Sequence, residues 1–103
     1  MSSGVVHPLL TDRTRLVLMA ALAARQEPIE FTVLSDSLHL SKGNLSSHLR
    51  KLEEQNLVVL VKEFVERKPR TTVTCTAEGR RCLADYLKDI EQMLRGVKDA
   101  GST

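Results

Sequence analysis

Ser41-Lys42-Gly43-Asn44-Leu45-Ser46-Ser47-His48-Leu49-Arg50-Lys51-Leu52-Glu53-Glu54 reads as one amphipathic helix with an unusually bare outer side. Ser41 is a good N-cap, because its hydroxyl can accept a bond from an unpaired N–H two or three residues on. Leu45, Leu49 and Leu52 recur at helical spacing and form one narrow apolar stripe. At about 100° per residue, the opposite face carries Gly43, Asn44, Ser47, Arg50 and Lys51, with Ser46 on its edge. A helix that is merely solvated usually carries long charged side chains throughout. Here the first two turns are reduced to Gly, Asn and Ser. Small residues let a backbone approach another body closely, and amides and hydroxyls can then bond to base edges. The segment 41–55 is therefore expected to be a recognition helix.

The elements on either side fit that role. Upstream, Thr11 or Asp12 can cap a helix through Arg13 to Ala24, apolar almost all round after its first turn. Such a helix is usually covered on more than one side, by its own domain and by a partner subunit. Glu27-Pro28 breaks it. Ile29-Glu30-Phe31 is a short extended piece, and Thr32 is expected to cap a second short helix through Leu38. His39-Leu40 makes the turn into Ser41, so the two helices form a helix-turn-helix.

Downstream, Leu57 to Val65 is a β-branched run, and Thr71 to Thr76 alternates with Val73 and Cys75 on one side. Between them, Glu66-Arg67-Lys68-Pro69-Arg70 lacks an Asn-Gly or Asp-Gly tight turn. It is expected to be a wide, mobile basic loop of a hairpin, stiffened by Pro69. Thr76 caps a last helix, with Glu78 well placed at its N-terminal dipole. Gly79 in its first turn suggests close packing. Leu83, Tyr86, Leu87, Ile90, Met93, Leu94 and Val97 give that helix a stripe longer than one small domain needs.

Composition sets limits on function. A chain of 103 residues suits one domain, and 42% hydrophobic with 27% charged residues is ordinary for a globular protein. With only 3% aromatics the core must be aliphatic and modest, which favours dimerisation. A formal charge of +2 is too weak to imply nucleic acid, so distribution matters more. Between Lys42 and Arg70 the cations collect at the two ends of the segment. Two cysteines make no disulfide framework, and neither a signal peptide nor a membrane span is expected, so a cytoplasmic location follows. No catalytic triad, paired-acid site or phosphate loop stands out, so an enzyme is not expected.

The order helix, short strand, helix, turn, helix, strand, basic loop, strand, helix is that of a winged helix-turn-helix: mainly α with a small β-hairpin (α+β). Leu10-Thr11-Asp12-Arg13-Thr14-Arg15-Leu16 is similar to the opening helix of ArsR-type repressors. The run from Leu40 through Leu45, Leu49 and Leu52 to Leu57-Val58 resembles the recognition helix and its exit in ArsR and MarR relatives. Arg67-Lys68-Pro69-Arg70-Thr71-Thr72 and Thr76-Ala77-Glu78-Gly79-Arg80 resemble the wing and last helix of small stand-alone regulators of the MarR/ArsR kind. The resemblance covers roughly Leu9 to Leu94. It implies a homodimeric transcriptional regulator, a repressor, on a pseudo-palindromic double-stranded DNA site.

Carried over by position, recognition contacts fall on Lys42, Gly43, Asn44, Ser46, Ser47 and Arg50, with Lys51 on the same outer face. Wing contacts, to backbone or minor groove, fall on Arg67, Lys68 and Arg70 of the wing 66–71. Asn44 can pair with adenine, and Lys42 or Arg50 with guanine or phosphate. Ser47 stands where many relatives carry Arg, which sets aside bidentate guanine readout there. The Cys-x-Cys pair of metal-sensing ArsR proteins is missing, so neither metal nor cofactor is expected.

The dimer seam is expected on Leu16, Leu83, Tyr86, Leu87, Ile90 and Leu94. The resulting layout is a flexible leader 1–8, a DNA-binding domain 9–76, a dimerisation helix 77–97 and a frayed tail 98–103. Any small-molecule effector would have to sit between the first and last helices. The competing reading is a winged-helix interaction module whose basic wing meets an acidic protein. Four more side chains are weighed, the first two with two readings each. Arg15 can touch phosphate or make an internal ion pair. His48 can be structural or meet phosphate. Cys75 is expected to be a buried, inert thiol. Cys82 follows Arg80-Arg81, which could lower its pKa and suit it to redox sensing.

Overall fold

A computed structural model describes residues 7–101; residues 1–6 and 102–103, where most of the leader and the end of the tail were placed, lie outside the described residues. The elements in chain order are α1 (Arg13–Ala23), β1 (Ile29–Glu30), α2 (Phe31–Ser37), α3 (Lys42–Glu54), β2 (Val58–Val65), β3 (Lys68–Cys75) and α4 (Ala77–Gly101). The strands form one antiparallel sheet in the order β1-β3-β2.

The leader is ordered sooner than expected. His7 and Pro8 belong to a hydrogen-bonded turn, with Leu10 N–H donating to the His7 carbonyl at 3.0 Å and Thr11 Oγ1 donating to the Pro8 carbonyl at 2.7 Å. That turn delivers Leu10, fully buried, into the core. Asp12 is the cap of α1, its carboxylate accepting from Arg15 N–H at 3.0 Å. Leu18, Met19 and Leu22 of α1 then pack with Leu34, the α3 leucines, Val58, Val73, Cys75, Leu83 and Tyr86. The core is almost wholly aliphatic.

Two expectations about boundaries are corrected. α2 begins at Phe31, one residue before the expected Thr32 cap, and its N-cap Glu30 makes no side-chain cap bond. Phe31 packs against the core. Phe31 is half-buried, so its packing is worth part of the about 1.5–3 kcal/mol of a fully buried Phe, enough to offset a typical hydroxyl cap at about 1 kcal/mol. The hairpin loop is also not wide. β2 and β3 pair in unbroken register down to Phe64↔Pro69 and Val65↔Lys68, leaving only Glu66 and Arg67 in the turn. Their φ values of 53° and 68° are those of a type I′ turn, made here without Gly or Asn. Pro69, expected in the loop, lies in the strand. A two-residue turn makes Val65–Lys68 a hydrogen-bonded pair, so Pro69 falls in the next, non-bonded pair and needs no N–H there.

α4 starts as expected. Thr76 Oγ1 accepts from Gly79 N–H at 2.8 Å and donates to the Asn56 carbonyl at 2.7 Å, joining the end of α3 to the start of α4. A Cβ on Gly79 would run into the Leu57 carbonyl and lie 3.0 Å from both Cys75 Sγ and Met19 Cε, so the close packing is real. The helix continues through Gly96 to Gly101, so residues 98–101, expected to fray, are helical.

Candidate nucleic-acid interface

Ser41 caps α3 as its hydroxyl accepts from Asn44 N–H at 3.1 Å. Leu45, Leu49 and Leu52 are completely buried and fix the rotation of the helix. The two helices of the motif stop in the same way. After α2, His39 takes φ 54°, while His39 N–H bonds Asp36 and Leu40 N–H bonds Ser35. After α3, Asn56 takes φ 61°, while Asn56 N–H bonds Glu53 and Leu57 N–H bonds Leu52. Both are Schellman stops with a left-handed residue. Buried Ser35 closes the first turn further, donating from Oγ to the Leu40 carbonyl at 2.6 Å. These stops aim α3. Neither the Ser35 bond nor the left-handed His39 has a local signal in the sequence.

With α3 so fixed, Lys42, Gly43, Asn44, Ser46, Ser47, Arg50 and Lys51 are all exposed. A Cβ at Gly43 would meet nothing within 4 Å, so the surface there is open. One flank of α3 faces the hairpin across an open cleft of about 510 Å³ lined by Ser46, Arg50, Glu53, Leu60 and Lys62. The other flank, with Lys51, Glu54 and Gln55, borders His7, Pro8 and Leu9.

Every residue of the hairpin from Val61 to Arg70 is exposed. Strand alternation sorts its side chains. Lys62, Phe64 and Pro69 share the side of Val58 and Leu60, towards α3; Lys68 and Arg70 share the other. Arg70 is also engaged with Glu30 of β1 at 3.7 Å. The expected wing trio is therefore split. Arg67 sits at the tip, Lys68 beside it, and Arg70 is tied back to the sheet. Lys62 is a further cation, on the α3-facing side and outside the expected loop. Its even-numbered alternation with Val58 and Leu60 was the available signal.

Arg15 does not make the internal ion pair. Its Nε donates to the Leu9 carbonyl at 2.8 Å and its Nη1 lies 3.2 Å from His48 Nδ1, both half-buried. His48 thus has a structural partner. Asp12 has its carboxyl held below its ordinary pKa, first by the Arg15 backbone N–H and then by the nearby Arg15 guanidinium.

The thiols are not activated. Burial raises the pKa of Cys75. Cys82 is also raised, by burial first and then by Asp85 and Glu78, against the expectation from Arg80-Arg81. Arg80 points elsewhere, donating to the carbonyls of Cys75 and Arg25. Among the described residues no group of three or more His, Cys, Asp or Glu could hold a metal. Nor is any helix among them long and apolar enough to cross a membrane. A small depression of about 170 Å³ lies between α1 and the α2–α3 turn, lined by Arg13, Thr14, Val17, Leu38 and Leu40.

The family model for the winged helix DNA-binding domain matches residues 14–94. The chain belongs to that family. A relative from Methanocaldococcus jannaschii, an uncharacterized protein, is 33% identical over 82 residues, covering 80% of this chain and 89% of its own. A solved transcriptional regulator homologue from Pyrococcus horikoshii superposes with TM-score 0.81 at 32% identity, covering 86% of this chain and 87% of that one. The MepR–DNA complex of S. aureus shares the fold at TM-score 0.71 and 15% identity, covering 89% and 77% of the two chains. The winged helix expected from the sequence is thus the fold found, in a family of winged helix DNA-binding domains with a transcriptional regulator homologue among the chain's relatives. The solved P. horikoshii protein and MepR are both named as transcription regulators.

On the last helix of this winged helix, Leu83 and Tyr86, expected at the dimer seam, are buried within the chain's own core. Leu16 and Ile90 are half-buried against it. Leu87, Met93, Leu94 and Val97 leave an exposed stripe, with Leu94 54% and Val97 69% exposed.

Proposed function

We propose that the protein is a homodimeric, sequence-specific repressor that places α3 of each subunit in the major groove of double-stranded DNA and its hairpin on the adjoining backbone or minor groove. The observation that carries this is the uncovered, small polar face of α3, open along its wing-side flank to Lys62. Lys42, Gly43, Asn44, Ser46, Ser47, Arg50 and Lys51 form the recognition surface. Lys62, Arg67 and Lys68 supply phosphate contacts, with Arg70 held in place by Glu30. Phosphate contacts set register, and base-edge contacts set sequence. The same fold is seen on DNA in the MepR complex.

Dimerisation supplies the geometry. α4 has 25 residues, about 37 Å at helical rise, and its second half carries apolar side chains that its own domain leaves bare. Pairing that stripe, from Leu87 through Ile90 to Leu94, about a two-fold axis sets two α3 helices about one DNA turn, roughly 34 Å, apart. Binding to a pseudo-palindrome follows, and repression follows from occupying it. The action on DNA is cytoplasmic.

Selection of bound duplexes from a random pool tests the reading. The expected result is one enriched pseudo-palindromic sequence, bound by a dimer with strongly salt-dependent affinity. A folded dimer that enriches no sequence at low salt would overturn the reading, and would favour an acidic protein partner for the wing.

A further inference from the structure

We propose that Phe64, backed by Pro69, is an apolar wedge with which the hairpin enters the minor groove and parts a base step. This rests on the reading above that the hairpin meets DNA. The chain has three aromatic residues. Tyr86 is buried and Phe31 packs against the core, whereas Phe64 is 78% exposed, the most exposed large hydrophobic side chain among the described residues. Nothing in the fold uses it. A phenyl ring held in water is a cost that an occupant would remove.

Its surroundings name the occupant. Phe64 stands opposite Pro69 across the ladder, so two apolar groups share one spot. Both lie on the α3-facing side, two residues along β2 from Lys62, which lines the cleft against Ser46 and Arg50. The tight Glu66–Arg67 turn holds the tip, with Lys68 next to it. Glu63 lies on the opposite face of the strand and Glu66 at the turn. On the ring's own face the nearest charge is Lys62, with Arg67 and Glu66 at the turn, while Lys68 and Glu63 lie on the far face; the charge balance around the ring is thus cationic, which suits a polyanion with an apolar interior between its charged edges. A DNA groove is such a body. Minor-groove proteins insert Phe or Pro between base steps and kink the duplex by about 20–90°. Pyrimidine–purine steps unstack most cheaply. The hairpin would then select a flexible step beside each α3 half-site, at a position where it makes no base hydrogen bond.

The test uses the full chain and its selected duplex, with wild type, Phe64→Ala, Phe64→Leu and Arg67→Ala compared. Affinity and its salt slope are read by fluorescence anisotropy, bending by end-to-end energy transfer, and unstacking by 2-aminopurine at the step under the wing. Phe64→Ala is expected to weaken binding about 10-fold or more with an unchanged salt slope, a smaller bend and no 2-aminopurine signal. Phe64→Leu should retain most of all three, and Arg67→Ala should lower the slope. Wild-type affinity and bend in Phe64→Ala would overturn the wedge while leaving DNA binding in place. A change in self-association or in acidic-peptide binding alone would also overturn it. Should Phe64→Ala melt early, the wild-type complex decides the question: an unbent duplex with no 2-aminopurine signal at the step under the wing would overturn the wedge, and a bend with that signal would support it. A wild type that enriches no duplex overturns the underlying reading as well.

Discussion

Arg15 Nη1 lies 3.2 Å from His48 Nδ1, so a guanidinium from α1 holds the flank of α3. A guanidinium only donates, so His48 Nδ1 is the acceptor. The same side chain satisfies the Leu9 carbonyl. A double-mutant cycle with Arg15→Ala and His48→Ala should give a coupling of about 0.5–1.5 kcal/mol. Urea unfolding measures it, and additive losses would show that the two side chains act independently.

Gly79→Ala should destabilise the fold. Alanine gains about 1 kcal/mol of helix propensity over glycine. Against this, its Cβ meets the Leu57 carbonyl, which is backbone and cannot swing aside, as well as Cys75 Sγ and Met19 Cε. Overpacking of this kind costs about 1–3 kcal/mol. The Leu57 carbonyl also accepts from Thr76 N–H, so a shift there disturbs the joint between α3 and α4. Calorimetry should show a fall in Tm; an unchanged or higher Tm would mean that the joint yields freely.

Gly79 and Ser41 were legible in the sequence for one reason: each has a local cause that tertiary structure did not override. The Leu45, Leu49, Leu52 stripe was legible for the same reason, because period and burial agree. Where local signals compete with packing, the sequence misled. Thr32 is a good cap, but Phe31 reaches the core and moves the helix start. The Glu66–Arg67 turn has no turn residue to announce it. Cross-strand pairing from Val58↔Cys75 to Val65↔Lys68 imposes a register that leaves two residues over, and they take positive φ at a cost of about 1–2 kcal/mol each. A loop drawn too wide hides Lys62 on β2 and groups Arg70 with the tip. On the last helix, periodicity marked an apolar stripe but not where the domain ends along it. Leu83 and Tyr86 fall on the core side of that limit, Leu87 and Leu94 beyond it.

Asp12 makes the start of α1 sensitive to acid. Its carboxyl has a lowered pKa in the folded chain, chiefly from the Arg15 N–H bond. A depressed carboxylate contributes stability that is present above its unfolded-state value and lost as pH falls through the folded-state one. Asp12→Ala should cost about 0.5–2 kcal/mol at neutral pH. The difference from wild type should shrink as the solution is acidified below the ordinary carboxylate range. A difference that does not change with pH would assign the cap a role independent of charge.

Wing and helix should fail differently. Arg67→Ala with Lys68→Ala should weaken binding to all sequences alike and reduce the salt slope by about one per lost phosphate contact. Asn44→Ala or Arg50→Ala should instead narrow the gap between the selected duplex and random DNA, by about 1–3 kcal/mol for each good base contact. Competition titrations at two salt concentrations separate the outcomes. Equal losses on both duplexes for the helix variants would move readout away from α3.

The most direct measurement is cleavage of the selected duplex by an iron chelate tethered at residue 47, as Ser47→Cys in a Cys82→Ser background. Ser47 lies on the open face of α3, while Cys75 is buried and should not be labelled. The account predicts cuts centred in the major groove of each half-site, two clusters about one helical turn apart. Cuts scattered along the duplex, or none while binding persists, would contradict the placement of α3 in the groove.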